Sequence, residues 1–159
     1  MRKYYFANLI VVLLFGASFG FAENADTTLS VYKNQQCGCC GKWIEHLEEL
    51  GFQVNAHNME VSELNEIKSE RGVAPQIRSC HTGVYQDKYV FEGHIPAKYI
   101  SKFLLERPEG AIGLTVPGMP VGSPGMEVGD KFSPYDILII KEDGSHDVYA
   151  HVDSYEAQF

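Results

Sequence analysis

Apolar and polar positions alternate across Leu29–Lys33 around Val31, which is the two-residue period of a strand. Trp43, Ile44, Leu47 and Leu50 then recur at helical spacing, and Gly51 stands where a left-handed glycine ends a helix. Alternation returns through Phe52, Val54 and Ala56, predicting a second strand over 52–59. Ser62 is placed to cap a second helix that turns Leu64 and Ile67 inward and ends near Arg71 and Gly72. After Pro75, residues 77–91 read as a hairpin turning near Gln86-Asp87-Lys88. Pro96 suits the first turn of a third helix, with Tyr99, Ile100, Phe103 and Leu104 on one face and Pro108 and Gly110 beyond its end. Residues 111–134 are rich in Gly and Pro and read as one long ordered loop. Residues 136–140 and 147–152 form a terminal strand pair turning at Asp143-Gly144.

The order β-α-β-α-β-β-α defines an α/β layered protein. With a cysteine cluster between the first strand and the first helix, it resembles the thioredoxin fold, here followed by a Gly/Pro-rich loop and an added strand pair. That fold carries a cis-proline opposite its cysteine turn, and Pro75 is the candidate for it. A chain of 159 residues favours one domain.

The first 22 residues do not fit that domain. Arg2 and Lys3 precede an uncharged, apolar run from Tyr4 to Phe21, and Gly20 and Ala22 supply the small residues of a cleavage site. We expect residues 1–22 to be a signal peptide cut after Ala22, leaving a single exported domain over 23–159. Contact with a membrane is then expected only during export. The formal charge of -8 argues against nucleic acid, whose phosphates need a basic face.

Export changes the meaning of the four cysteines, since an even set in an oxidising compartment usually forms disulfides. Three of them, Cys37, Cys39 and Cys40, lie within four positions, and adjacent cysteines are a poor way to close long loops. Cys37 and Cys40 have the C-x-x-C spacing ahead of a helix, where unpaired N–H groups and the helix dipole favour a thiolate. Cys39 adds a third sulfur that a simple dithiol enzyme does not need. Cys80, in Ser79-Cys80-His81-Thr82 after the proline, is placed to face the cluster as a fourth ligand or a resolving thiol. His94, in Glu92-Gly93-His94-Ile95-Pro96, sits at a strand-to-helix turn within reach of such a site. Strand alternation is expected to turn His81 away from Cys80. Met119 and Met126 bracket the Gly/Pro loop, and thioether with thiolate is a ligand set selective for Cu(I).

Cys-Gly-Cys-Cys-Gly before a helix, Ser-Cys-His-Thr after a proline, Glu-Gly-His-Ile-Pro, and the run from Val116 to Met126 form one ordered set. Together they resemble the CopG-type copper-resistance proteins, over about residues 28–152. The resemblance implies a periplasmic protein that binds Cu(I) in a cysteine-bridged, multinuclear site and protects against excess copper, with interconversion of copper oxidation states as a suggested role. It implies Cys37, Cys39, Cys40 and Cys80 as metal ligands, with His94, Met119 and Met126 as further ones. Copper ions, and other periplasmic copper-handling proteins, are the partners it implies. The segment Val73-Ala74-Pro75-Gln76 departs from the apolar or proline pair expected before the strand. Two other classes remain: a thiol-disulfide oxidoreductase of exported proteins using Cys37 and Cys40, and a structural zinc site, against which the adjacency of Cys39 and Cys40 speaks.

Overall fold

In the computed structural model, which describes residues 27–159, one seven-stranded mixed sheet carries three helices. The elements run β1 (Thr28–Lys33), α1 (Gly38–Glu49), β2 (Gln53–Asn58), α2 (Val61–Glu70), a 3-10 turn (Pro75–Ile77), β3 (His81–Tyr85), β4 (Tyr89–Glu92), α3 (Ala97–Glu106), β5 (Ala111–Thr115), β6 (Tyr135–Lys141), β7 (His146–Val152) and a 3-10 turn (Glu156–Gln158). The strand order is β2-β1-β3-β4-β5-β6-β7. β1 pairs in parallel with β2 and β4 with β5; the other neighbours are antiparallel. The expected signal segment, residues 1–22, lies outside the described residues. Among the described residues no helix is long and apolar enough to cross a membrane.

Alternation along β4 shows how the two faces are filled. Phe91 enters the main core with Trp43 and Leu47 of α1 and Ile100 and Phe103 of α3. Its neighbour Val90 turns the other way, into a smaller cluster with Val73, Ile77 and Ile140. Burying side chains of this size stabilises the fold by about 1.5–3 kcal/mol each. α1 thus lies fixed on the sheet with its N-terminus, and the cysteine turn, at one end of β1.

Four expectations need correction. The second helix begins two residues earlier than Ser62 suggests: Glu60 is its N-cap and forms a reciprocal capping box with Glu63. Residues 111–115 are not loop but β5, paired on both sides; Gly113 had masked the strand signal, yet its bare Cα lets the Val90 carbonyl come close. Residues 77–80 are not strand, and the hairpin proper spans only β3 and β4. It closes through Gln86 and Asp87, both at positive φ (48° and 57°), with Arg71 bonded to the Asp87 carbonyl at 2.6 Å. No peptide bond among the described residues is cis, so Pro75 opens a 3-10 turn in the trans form.

Candidate metal centre

The first wall of the site is the turn that starts α1. The Asn34 side chain accepts from Gln36 N–H (2.9 Å) and its carbonyl accepts from Cys37 N–H (3.1 Å), folding the chain back just before the helix. Cys37 is the N-cap residue, in extended conformation, and no side chain caps the helix. The helical turn therefore gathers three sulfurs at an end with free N–H groups. Cys37 and Cys40 are joined as a disulfide, while Cys39 and Cys80 are free thiols. Cys39 Sγ lies 3.5 Å from Cys37 Sγ.

The second wall is the segment from Ser79 to Ile95. Cys80 Sγ lies 3.5 Å from Cys40 Sγ, so sulfurs from both walls meet. All four sulfurs fall within 4.8 Å of one another. Burial, with Cys39 beside it, pushes the Cys80 thiol up to about 12, against the lowering influence of the Ser79 hydroxyl. His94 Nε2 stands 3.2 Å from Cys80 Sγ, and His94 Nδ1 lies 2.8 Å from the Pro124 carbonyl. A carbonyl only accepts, so Nδ1 carries the proton and Nε2 is left with its lone pair facing the sulfur. Burial lowers the His94 pKa and keeps the ring neutral, although the Pro124 carbonyl and Glu127 oppose it.

His81 overturns the alternation argument. Cys80 precedes β3 rather than lying in it, so the two-residue period does not apply across the pair. His81 Nδ1 is 3.4 Å from Cys80 Sγ, and Cys80, His81 and His94 form a second donor group within 4.8 Å. The His81 ring is fully buried, lies 4.2 Å from Trp43 and 4.9 Å from His94 between ring centroids, and its Nε2 has no hydrogen-bond partner. Burial and the neighbouring His94 hold its pKa well below the ordinary histidine value. Trp43 itself is pinned by its Nε1–H to the Ile95 carbonyl at 2.8 Å.

The Gly/Pro loop, residues 116–134, is the lid between the walls. Ser79 Oγ donates to the Gly118 carbonyl at 2.6 Å, next to Met119. Gly125, next to Met126, is at φ +86° and lies so close to α1 that a Cβ there would stand 2.6 Å from Cys39 O and 2.8 Å from Trp43 N. Both methionines are thus adjacent to residues anchored beside the cysteines, Met119 being exposed and Met126 half-buried. Of the residues singled out from sequence, Cys37, Cys39, Cys40, Cys80 and His94 come together, while Met119 and Met126 are tied to them only through the neighbouring Gly118 and Gly125. The other histidines stay apart: His57 stacks on Tyr32, His151 pairs with Asp136 at 2.7 Å, and His46 accepts from Ala97 N–H at 3.1 Å.

Two residues behind the second wall were not foreseen. Lys68 and Glu92 form a buried ion pair, at 1 % and 0 % exposure. The sequence did carry a signal: Lys68 follows Leu64 by four positions on the inward stripe of α2, and Glu92 ends the apolar run Tyr89-Val90-Phe91.

A thioredoxin-like sheet with four converging sulfurs and two imidazoles defines a protein with a thiol-rich cluster able to hold a soft metal. Comparison with known proteins narrows that class. Residues 77–126 match the family described as "Protein of unknown function, DUF411". Two solved structures titled "Copper resistance protein copG", Form 1 and Form 2, are similar over nearly their whole length. Form 1 is 41% identical, with a TM-score of 0.73, over 80% of this chain and 98% of its own. Form 2 is 42% identical, with a TM-score of 0.71, over 79% and 97%. No curated protein sequence matches. The chain belongs to the CopG copper-resistance protein family.

Proposed function

We propose that this protein binds copper as Cu(I) in a multinuclear, thiolate-bridged site and serves copper resistance after export to the periplasm. The observation that carries this reading is the meeting of four cysteine sulfurs within 4.8 Å, three from one helical turn and one from the opposite wall. Four thiolates around so small a space exceed what one two- or three-coordinate Cu(I) ion uses, and shared sulfurs let several ions occupy it. Soft sulfur donors select Cu(I), and His94 Nε2 offers a further ligand from a tautomer already fixed by Pro124. Met119 and Met126 are assigned as the thioether ligands of the lid. The family membership and the apolar N-terminal segment with its Gly20–Ala22 cleavage pattern support the role and the location.

Loading requires reduced sulfurs. The Cys37–Cys40 disulfide must first take two electrons and two protons from a thiol reductant. Copper then displaces the thiol protons. Since Cys80 holds its proton tightly, each proton displaced on binding makes apparent affinity fall by roughly tenfold per pH unit on acidification.

The test is anaerobic titration of the reduced protein with Cu(I), counting copper and free thiols. More than one copper per chain, lost in a Cys37/Cys39/Cys40→Ser variant, supports the reading. Absence of tight copper, with Cys37 and Cys40 cycling reversibly and reducing insulin, overturns it.

The bonded Cys37–Cys40 pair at a helix N-terminus favours a second reading, a thiol-disulfide oxidoreductase of exported proteins. Cys39→Ser separates the two. It leaves a dithiol enzyme active and cuts the copper capacity of a cluster.

A further inference from the structure

Cys80 sits in an unprotected stretch of backbone. The 3-10 turn ends at Ile77 and β3 begins at His81, so residues 78–80 belong to neither. Backbone groups there must find partners outside the ladder. Glu92 Oε1 accepts from Ser79 N–H at 2.5 Å, and Lys68 Nζ donates to the Ser79 carbonyl at 2.9 Å and, more weakly, to the His81 carbonyl at 3.5 Å. Thr82 Oγ1 donates to Glu92 Oε2, and Lys68 Nζ donates to Glu92 Oε1. The ion pair therefore binds the chain immediately before and immediately after Cys80, from beneath, with both charges out of water.

Such a pair is a poor device for stability alone. Desolvating two charges costs several kcal/mol, and well-packed apolar side chains of similar volume often do as well or better. Here the bonds not spent within the pair go to Ser79, His81 and Thr82, the residues flanking Cys80. We infer that Lys68 and Glu92 are positioning residues, whose buried pair holds Cys80 and His81 at the distance where Cys80 meets the sulfurs of α1. The inference rests on the copper reading for its use, but the fixed segment stands independently of it.

The decisive variant is the double replacement Lys68→Met with Glu92→Leu, which removes both charges and leaves no charge unpaired. Two readouts are taken on the reduced full chain. The first is amide hydrogen exchange at Ser79–Thr82 without metal. The second is Cu(I) affinity, by competition with a chromophoric Cu(I) chelator, with Cys80→Ser as reference. The expectation is a cooperatively folded protein whose exchange protection at 79–82 and whose copper affinity both fall by roughly tenfold, the loss of about one net hydrogen bond's worth of order. Copper affinity should approach that of Cys80→Ser. A folded double variant with unchanged exchange and unchanged affinity overturns the inference.

Should the wild-type chain take up no tight copper, the functional reading fails while the exchange readout still decides the positioning role. If the double variant does not fold, Thr82→Val and Thr82→Ser replace it, because both leave the ion pair in place. Loosening of 79–82 in the valine variant, restored by serine, supports the inference. Equal exchange in both overturns it.

Discussion

The two walls of the site are built on opposite principles. The α1 wall carries three of the four sulfurs but little support: Cys37 caps its helix without a side-chain bond, and both Gly38 and Gly41 face open space. The Ser79–Ile95 wall carries one sulfur and is saturated with constraint, with His81, Thr82, Glu92 and His94 all fully buried. It holds an ion pair beneath, and Gly93 wedged against Ser79 and Val116. The contrast shows a division of labour. One wall, whose turn has few side-chain bonds, is the adaptable one; the other, held by buried side chains on several sides, is the fixed one.

Substitutions on the fixed wall should therefore cost more than matched ones on the adaptable wall. Gly93→Ala is expected to do most damage. Its φ is +80°, and the new Cβ would lie 2.6 Å from Val116 O and 2.8 Å from the Ser79 side chain. Urea denaturation should show a loss of about 3 kcal/mol or more.

Gly125→Ala comes next, since it acts where the lid touches the adaptable wall. The methyl would stand 2.6 Å from Cys39 O at φ +86°, and the lid must lift. Stability should fall by about 1–2 kcal/mol and Cu(I) retention against a chelator several-fold. Retention unchanged in a folded variant would show that the lid takes no part in holding metal.

A smaller effect belongs to the seam between the walls. His46 Nε2 accepts from Ala97 N–H at the start of α3, a bond that protonation destroys. Burial lowers the His46 pKa, with Glu127 and Glu49 opposing. At pH 8 the ring is neutral folded or unfolded, and it contributes no pH dependence. As pH falls below the ordinary value near 6.5, the unfolded chain takes up a proton that the folded chain refuses, so stability declines toward acid. His46→Gln keeps an acceptor and should flatten part of that decline in thermal melts between pH 8 and 5, the remainder belonging to His81 and His94.

The smallest change is expected on the adaptable wall. Gly41→Ala meets nothing within 4 Å inside α1, and should raise stability by about 0.5–1 kcal/mol with copper capacity unchanged. A loss as large as that of Gly93→Ala would erase the distinction between the walls.

That distinction also explains what could be read from the sequence. Cys37, Cys39 and Cys40 are close in sequence, so their wall was visible as a motif. The strands, helices and final hairpin followed from periodicity wherever an element is amphipathic. β5 was hidden because it lies between two neighbours and contains Gly113 against Val90, which reads locally as loop. His81 departs from the alternation because Cys80 stands one residue before the strand begins. Lys68 and Glu92 escaped because a charge in an apolar stripe has meaning only when its partner is known, and that partner lies 24 residues away. Long-range pairings of this kind leave no local period.

The separations in sequence also set a timetable for folding. The β3–β4 hairpin closes over its own short turn, an event that takes about 1–10 μs in isolation. Joining the walls is slower, because Cys40 must meet Cys80 across 40 residues and Trp43 must find the Ile95 carbonyl across 52, each contact closing a long loop. A chain released N-terminus first shows its three clustered thiols well before the reference wall exists. During that interval the three thiols are open to any oxidant or soft ion, and the four-sulfur cluster exists only once Cys80 has been brought to Cys40 across those 40 residues.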